Sequence, residues 1–385
     1  MTGLLLAVLL QNPASFAAAW RPVAQEFRES LAREGVVGGS LWFIRGDSVL
    51  AREFVGLADQ AAARRVDANT IFHWASITKT LTAIGIMQLR DRGRLSLDDP
   101  IVKYVPELMA VHNPYGPMEA ITLRQLLSHS AGFRNPTWPW GGDQPWHPFE
   151  PTKWSQLVAM MPYTEILFPP GSKYSYSNPG LIFLGRVIEQ LSGDDYEVYI
   201  DKNILKPLGM SHSYYDITPY HLLADRSNNY EMKDGKLVTN GLDFDTGITT
   251  SNGGLNAPVS DMVKYFAFLL GKGPGANGPV PVLKRSSLEE MWRPVLPASD
   301  NEAMGDSVAL SFFVKHVGNT RLIGHTGSQR GFRAFFYLEL KSGTAVIAAT
   351  NTAAADERPG NHPDIAAVRN ALVTAVARNV WPEFR

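Results

Sequence analysis

The sequence predicts an α+β fold in which strands from both ends of the chain form one antiparallel sheet, flanked by helices, with a helical lobe inserted. Two observations carry this prediction. Strand-like segments occur near the N-terminus and after residue 305, whereas residues 120–290 give mostly helical patterns. The length of 385 residues allows one large core. We predict a single domain over 20–385, with an α/β part at about 20–75 and 300–385 and a helical part at about 76–299.

The N-terminal elements follow from local sequence signals. An amphipathic pattern predicts a helix over 23–34. Two segments rich in β-branched and aromatic residues, 40–44 and 49–55, predict strands joined by a turn at Gly46-Asp47. A strongly apolar run then predicts a helix over 76–93.

The rest of the chain divides into a helical middle and a strand-rich end. Connections rich in glycine, proline and asparagine separate the candidate helices. These helices are predicted at 123–130, 153–161, 179–192, 259–271 and 286–293. Strands are predicted at 308–315, 320–323, 332–340 and 344–350, followed by a last helix at 365–380.

Composition excludes several classes of function. The formal net charge is −1 and no run of lysine or arginine occurs, so we expect no nucleic-acid partner. Because the chain has no cysteine, it has neither disulfides nor thiolate metal ligands. The nine histidines lack the H-x-x-H and H-E-x-x-H spacings of metal sites, so we expect no metal.

The first 19 residues resemble an export signal. A short apolar run, 3–10, precedes the small-residue segment 14–19, although no lysine or arginine comes before the run. The run is too short to span a bilayer, so we expect no stable transmembrane segment. We expect export to the periplasm or medium after cleavage near residue 19. The alternative is an N-terminal helix that packs on the body of the protein.

Ser76-Ile77-Thr78-Lys79 places a hydroxyl and an amine one helical turn apart, on the same helix face. A serine hydroxyl becomes a nucleophile when an adjacent base takes its proton. A lysine can be that base if burial lowers its pKa. The alternative is a serine near a helix start with an exposed lysine.

Two more short motifs could contribute to the same cleft. Tyr176-Ser177-Asn178 precedes a predicted helix, and its phenol and amide could relay a proton and bind a substrate amide. His325-Thr326-Gly327-Ser328 comes at the end of a predicted strand, where Gly327 would let a substrate backbone approach and the Ser328 N–H could stabilise an oxyanion. Each motif alone is also compatible with a turn or a strand end.

Together, in this order, the three motifs resemble those of the penicillin-recognising serine hydrolases. The relevant branch contains class C β-lactamases, D-alanyl-D-alanine carboxypeptidases and related esterases. Related enzymes carry Ser-x-x-Lys, Ser-Asp-Asn and Lys-Thr-Gly, and tyrosine in the second motif is typical of the class C-like branch. Segments 121–132 and 252–255 are also similar to the family, and the resemblance spans about residues 35–380. It implies a β-lactamase/transpeptidase-like fold.

The resemblance also implies roles. Ser76 would be the acylated nucleophile, Lys79 its base and Tyr176 the proton relay. Catalysis would need neither metal nor cofactor. The expected substrates are small molecules or peptides: D-amino-acid peptides or amides, or small esters. A class C-like β-lactamase is one alternative, and a non-catalytic penicillin-binding or scaffold protein is another.

The remaining motif residues would bind the substrate. Asn178 would hold its amide, Ser328 would supply an oxyanion N–H together with Ser76, and the Thr326 and Ser328 hydroxyls would face a carboxylate. His325 replaces a permanently charged lysine, which favours a peptidase, amidase or esterase over a potent β-lactamase. We expect activity to depend on His325 titrating between about pH 5.5 and 7.5.

A proline-stiffened segment, 136–149, contains Trp138, Trp140 and Trp146. Three aromatic rings between the second family-like stretch and Tyr176 could wall an apolar acyl pocket. Alternatively, the segment packs on the helical lobe without contacting substrate.

Overall fold

The protein is described by a computed structural model. It covers residues 13–137, 151–239, 241, 246–277, 281–298, 304–355 and 362–384. Trp138, Trp140 and Trp146 lie outside the described residues.

The strands are β1 (Gly38–Arg45), β2 (Ser48–Asp59), β3 (Arg64–Arg65), β4 (Ile71–His73), β5 (Tyr214–Tyr215), β6 (Tyr230–Lys233), β7 (Lys236–Val238), β8 (Leu255–Pro258), β9 (Leu296–Pro297), β10 (Ser307–Val308), β11 (Phe313–Val317), β12 (Thr320–Gln329), β13 (Phe332–Glu339), β14 (Thr344–Thr350) and β15 (Thr352–Ala354). The helices are α1 (Pro13–Arg33), α2 (Thr78–Asp91), α3 (Leu123–Leu127), α4 (Trp154–Met160), α5 (Asn178–Ser192), α6 (Tyr196–Ile200), α7 (Lys206–Leu208), α8 (Thr250–Gly253), α9 (Val259–Leu269), α10 (Pro274–Asn277), α11 (Arg285–Met291) and α12 (Ile365–Asn379).

The main sheet joins the two ends of the chain, as predicted. Within the described residues its nine strands are antiparallel and run in the order β3-β2-β1-β14-β13-β12-β11-β10-β9. β1 lies beside β14, with Leu41 opposite Ala348. The predicted α+β fold with an inserted helical lobe is therefore confirmed.

Side chains of β1 alternate between two cores, because successive residues of a strand point to opposite faces. Leu41 and Phe43 pack in the cluster that α1 and α12 form on one face. Trp42 and Ile44 pack in the larger cluster that the sheet shares with the helical lobe. Each fully buried side chain of this size contributes about 1.5–3 kcal/mol.

The first helix begins earlier than the sequence predicts. α1 starts at Pro13 instead of residue 23, and Phe16 is buried against Phe43 and Phe384. Residues 13–19 therefore form the first turns of α1, while cleavage and export stay predictions. None of the helices in the described ranges is long and apolar enough to cross a membrane.

Two predicted strands differ from the structure near the site. The strand expected at 308–315 is wrong, because Ser311 has a left-handed φ of +58° and separates β10 from β11. The strand expected at 320–323 extends to Gln329 as β12, so His325-Thr326-Gly327-Ser328 lies inside a strand and not at its end. Pairing with β13 stabilises this half of β12, whose polar, glycine-containing sequence has little strand propensity.

The second half of β12 has one open edge in the described part of the chain. β13 pairs with it as far as Gln329, but β11 on the other side pairs only up to Gly324. On the β11 side, no strand of the described residues pairs with residues 325–329, and an unpaired strand edge of this kind is where a further strand can add.

Candidate active site

Ser76 lies on a sharp turn between β4 and α2. The turn is a single 3₁₀ turn, Ala75–Ile77, and Ala75 has a left-handed φ of +46°. Trp74 anchors the turn, since its backbone N–H donates to Leu255 O at 2.8 Å and its Nε1 donates to Ala257 O at 2.9 Å. Strained residues of this kind persist where the surroundings hold them, and they cluster at functional sites.

Lys79 is buried beside Ser76. Its Nζ donates to Ser76 Oγ at 3.0 Å and to the Asn252 carbonyl at 2.8 Å, and the side chain is 0% exposed. No ion pair found in the described residues involves Lys79. Burial lowers the pKa of Lys79 well below its ordinary value, because a charged ammonium loses its hydration there. The neutral amine can therefore accept the Ser76 proton.

Tyr176 lies over the same pair of residues. Its phenol forms a hydrogen bond with the Ser76 side chain, and Lys79 Nζ lies 4.9 Å from the centre of its ring. Burial raises the pKa of Tyr176, and the bond to Ser76 only partly opposes that shift. Tyr176 is therefore a protonated donor at neutral pH.

Asn178 is the first residue of α5, which Ser177 caps by accepting the Gly180 N–H at 3.2 Å. Its side-chain amide donates to Asn135 Oδ1 at 3.2 Å, and its backbone N–H donates to Asn135 O, also at 3.2 Å. Asn135 thus orients Asn178 at the cleft. Asn135 carries no recognisable motif, so the sequence analysis missed it.

His325 differs from the prediction in its charge. Its Nδ1 donates to the Thr326 carbonyl at 2.6 Å, and its ring is fully buried, 5.3 Å from that of Phe313. Burial, followed by the positive charge of Lys79, lowers the pKa of His325 to about 3. The expectation that His325 titrates between pH 5.5 and 7.5 is therefore wrong.

The neutral state of His325 gives a testable pH dependence. The side chain introduced by His325→Gln is uncharged at every pH, like the neutral imidazole that it replaces. We therefore expect the acid limb of the kcat/KM profile for an uncharged ester to have the same midpoint in the variant as in the parent protein. The comparison is a pH profile from 4.5 to 9 for both proteins, and a midpoint moved by more than about half a unit would contradict this assignment.

Gly327 brings β12 against the turn that carries Ser76. A Cβ at Gly327 would lie 2.2 Å from the Trp74 carbonyl oxygen, so only glycine allows this approach. Thr326 pairs with Phe335 of the α1–α12 cluster, whereas His325 pairs with Phe336 of the helical-lobe cluster; Ser328, two residues after Thr326 in the strand, points to the same face as Thr326. A ligand on the open edge would lie between these two sets of side chains.

His73 ties the end of β12 to β4 and was also missed. Its Nδ1 lies 2.9 Å from Asn256 Oδ1 and its Nε2 lies 2.9 Å from Gln329 Oε1. Burial, then the charge of Arg226, lowers the pKa of His73 to about 4. Its position three residues before Ser76 was the available signal in the sequence.

Comparisons with known proteins agree with this fold. Residues 23–370 match the family described as Beta-lactamase, and the chain belongs to that family. Protein flp of Staphylococcus aureus (strain COL) is 25% identical over 321 residues, which is 83% of this chain and 61% of that protein. The chain thus spans about three fifths of the length of such curated relatives.

Two solved structures have the same fold. The octameric penicillin-binding protein homologue from Pyrococcus abyssi is 26% identical, with a TM-score of 0.76 over 94% of this chain and 78% of that one. The D-amino acid amidase from Ochrobactrum anthropi SV3, in complex with L-phenylalanine, is 21% identical, with a TM-score of 0.76 over 94% and 98%. These structures agree with a β-lactamase/transpeptidase-like architecture.

Proposed function

We propose that the protein is a serine hydrolase that works through an acyl-enzyme at Ser76. One observation carries the proposal: Lys79 Nζ is fully buried 3.0 Å from Ser76 Oγ. A desolvated amine in hydrogen-bond reach of a hydroxyl is the arrangement that activates a serine nucleophile.

The proposed reaction begins when Lys79 takes the Ser76 proton and Ser76 Oγ attacks the substrate carbonyl. The backbone N–H groups of Ser76 and Ser328 would stabilise the resulting oxyanion. Tyr176 would pass its proton to the leaving group and recover one from Lys79, which holds the proton taken from Ser76. Water would then hydrolyse the ester to Ser76, with the same groups returning the protons.

We propose D-amino-acid peptides or amides, or small esters, as substrates. In this proposal an extended substrate backbone would lie along residues 325–329, where no strand of the described residues pairs on the β11 side, and Asn178 would hold its amide. A neutral His325 offers no permanent charge for the carboxylate of a β-lactam. The Ochrobactrum amidase supports the fold alone. Because fold likeness does not establish a substrate, we include D-amino-acid amides in the test panel as a class still to be tested.

The nucleophile is tested by intact-mass labelling with a fluorophosphonate. We expect one adduct on the parent protein and on Ser172→Ala, an exposed-serine control, and none on Ser76→Ala. Absence of an adduct on the parent protein, with penicillin as well as the fluorophosphonate, would favour the non-catalytic scaffold instead.

Substrate class is tested with one preparation and four groups of compounds: p-nitrophenyl esters, D-Ala-D-Ala peptides, D-amino-acid amides and nitrocefin. We expect turnover of at least one of the first three groups, with nitrocefin hydrolysed slowly or held as a long-lived adduct. Steady nitrocefin turnover above the others would favour the β-lactamase instead.

A further inference from the structure

His129, which the proposed reaction does not use, holds the backbone on both sides of Tyr176. It follows α3 and is 1% exposed. Its carbonyl accepts the Ser175 N–H at 2.8 Å, and its Nδ1 accepts the Ser177 N–H at 3.1 Å. One residue therefore binds the chain immediately before and immediately after the tyrosine.

The same residue also supports the tyrosine ring. The imidazole of His129 stacks on the phenol ring of Tyr176, with centroids 4.4 Å apart and planes inclined by 23°. Lys79 Nζ lies 4.9 Å from the centre of the Tyr176 ring. Backbone and ring contacts together restrict both the position and the tilt of the phenol relative to Ser76.

From these three contacts we infer that His129 is a positioning residue for Tyr176. The inference rests on the proposed function, in which Tyr176 moves the protons of the reaction. Misplacing a catalytic group by about 1 Å can lower the rate by about 100-fold, so a residue that fixes Tyr176 has a direct effect on catalysis.

The tautomer of His129 follows from its contacts. Because Nδ1 accepts a backbone hydrogen, it carries none, and the ring proton lies on Nε2, which is buried without a hydrogen-bond partner. Burial, and then the positive charge of Lys79, lowers the pKa of His129 well below its ordinary value. His129 therefore stays neutral, and its acceptor is available across the working pH range.

The backbone of His129 is also unusual. Its φ is +51°, a left-handed conformation that is uncommon for residues other than glycine, although asparagine and histidine adopt it more often than most. A histidine at this position carries a backbone cost that its contacts with residues 175–177 must offset. Asparagine is therefore an informative substitution, because it tolerates this φ and keeps an acceptor but removes the ring.

The experiment separates the two kinds of contact. His129→Asn removes the ring and keeps an acceptor, whereas His129→Phe keeps an aromatic ring and removes the acceptor. Ser130→Ala is the matched control, since Ser130 is 2% exposed in the same turn and bonds Ser128 and Gln125 rather than Tyr176. For each protein we would measure kcat and KM with one ester, the melting temperature and the hydrogen exchange of the 175–177 amides.

We expect kcat to fall by about 10- to 100-fold in both His129 variants, with KM within about threefold of the parent value. Amide protection at Ser177 should be lost in His129→Phe and kept in His129→Asn. Ser130→Ala should keep kcat within about twofold.

Two results would overturn the inference: both His129 variants retaining kcat, or the control losing as much as they do. Hydrogen exchange does not depend on turnover, so it tests the backbone contacts even if the parent protein labels no serine. If the proposed function were wrong, the parent protein would give no labelled serine. The hydrogen exchange of the 175–177 amides in the parent and variants would still follow the pattern expected from the His129 contacts.

Discussion

Lys79→Met is expected to lower the rate of Ser76 acylation by about 10³- to 10⁴-fold. Methionine fills a similar volume but has no basic nitrogen, so the Ser76 hydroxyl keeps its proton. The rate of fluorophosphonate labelling measures the effect directly, because it reports acylation without later steps. Labelling within tenfold of the parent rate would mean that another group is the base.

The same substitution should not destabilise the protein. Burial disfavours the protonated amine in the folded state, so the folded state binds fewer protons than the unfolded chain. The pKa of Lys79 is lowered on folding, and its burial therefore costs stability at every pH below its unfolded value. Methionine removes that cost, and we expect a melting temperature at pH 7 no lower than that of the parent. Lys79→Arg is the contrasting control: it keeps a charge that cannot be neutralised, so both stability and labelling should fall.

The sequence was sufficient for elements with strong local patterns. The apolar run after Ser76 predicts α2, and the β-branched segment 344–350 predicts β14 without error. Periodicity and propensity act over neighbouring residues, so they are visible in one chain. The three motifs likewise identified Ser76, Lys79 and Tyr176, which the structure brings together.

Other features depend on residues that are distant in the sequence. Residues 325–329 form a strand because β13 pairs with them and because the Trp74 turn packs on Gly327. The charge of His325 depends on burial by Tyr176 and Phe313, which belong to different segments. Neither contact has a local signal, so a reference pKa gave the wrong prediction for His325.

Three buried histidines belong to the candidate site, and burial favours the neutral form of each. His73 contacts the Gln329 side chain at the end of β12, and His129 accepts the Ser177 N–H next to Tyr176. His325 donates to the carbonyl of Thr326, the next residue in β12. Burial lowers the pKa of all three. A second positive charge beside Lys79 would disfavour a protonated lysine further, but it would also cost desolvation energy. The neutral rings instead supply hydrogen bonds and packing, and in the proposed reaction Lys79 is the group that changes charge.

Gly327→Ala is expected to lower acylation by about 100-fold and to destabilise the protein by about 1–3 kcal/mol. The new methyl group would lie 2.2 Å from the Trp74 carbonyl oxygen and 3.1 Å from its carbon, and both atoms belong to the backbone. No side-chain rotation can relieve this contact. The turn that carries Ser76 and the strand that carries Ser328 must therefore move apart, and the two proposed oxyanion donors would separate.

Gly324→Ala is the control that distinguishes this movement from general damage to β12. Its methyl group would lie 2.3 Å from the Phe336 carbonyl oxygen, an equally severe contact, but inside the sheet and away from the Ser76 turn. Both variants should unfold at lower denaturant concentration than the parent, whereas labelling per folded molecule should fall strongly only in Gly327→Ala. If the two variants lost labelling equally, the close approach of Trp74 and Gly327 would have no specific part in building the oxyanion site. If Gly327→Ala alone lost labelling while KM for a small ester stayed near the parent value, the defect would lie in stabilising the transition state, as expected for donors that act only when the oxyanion forms.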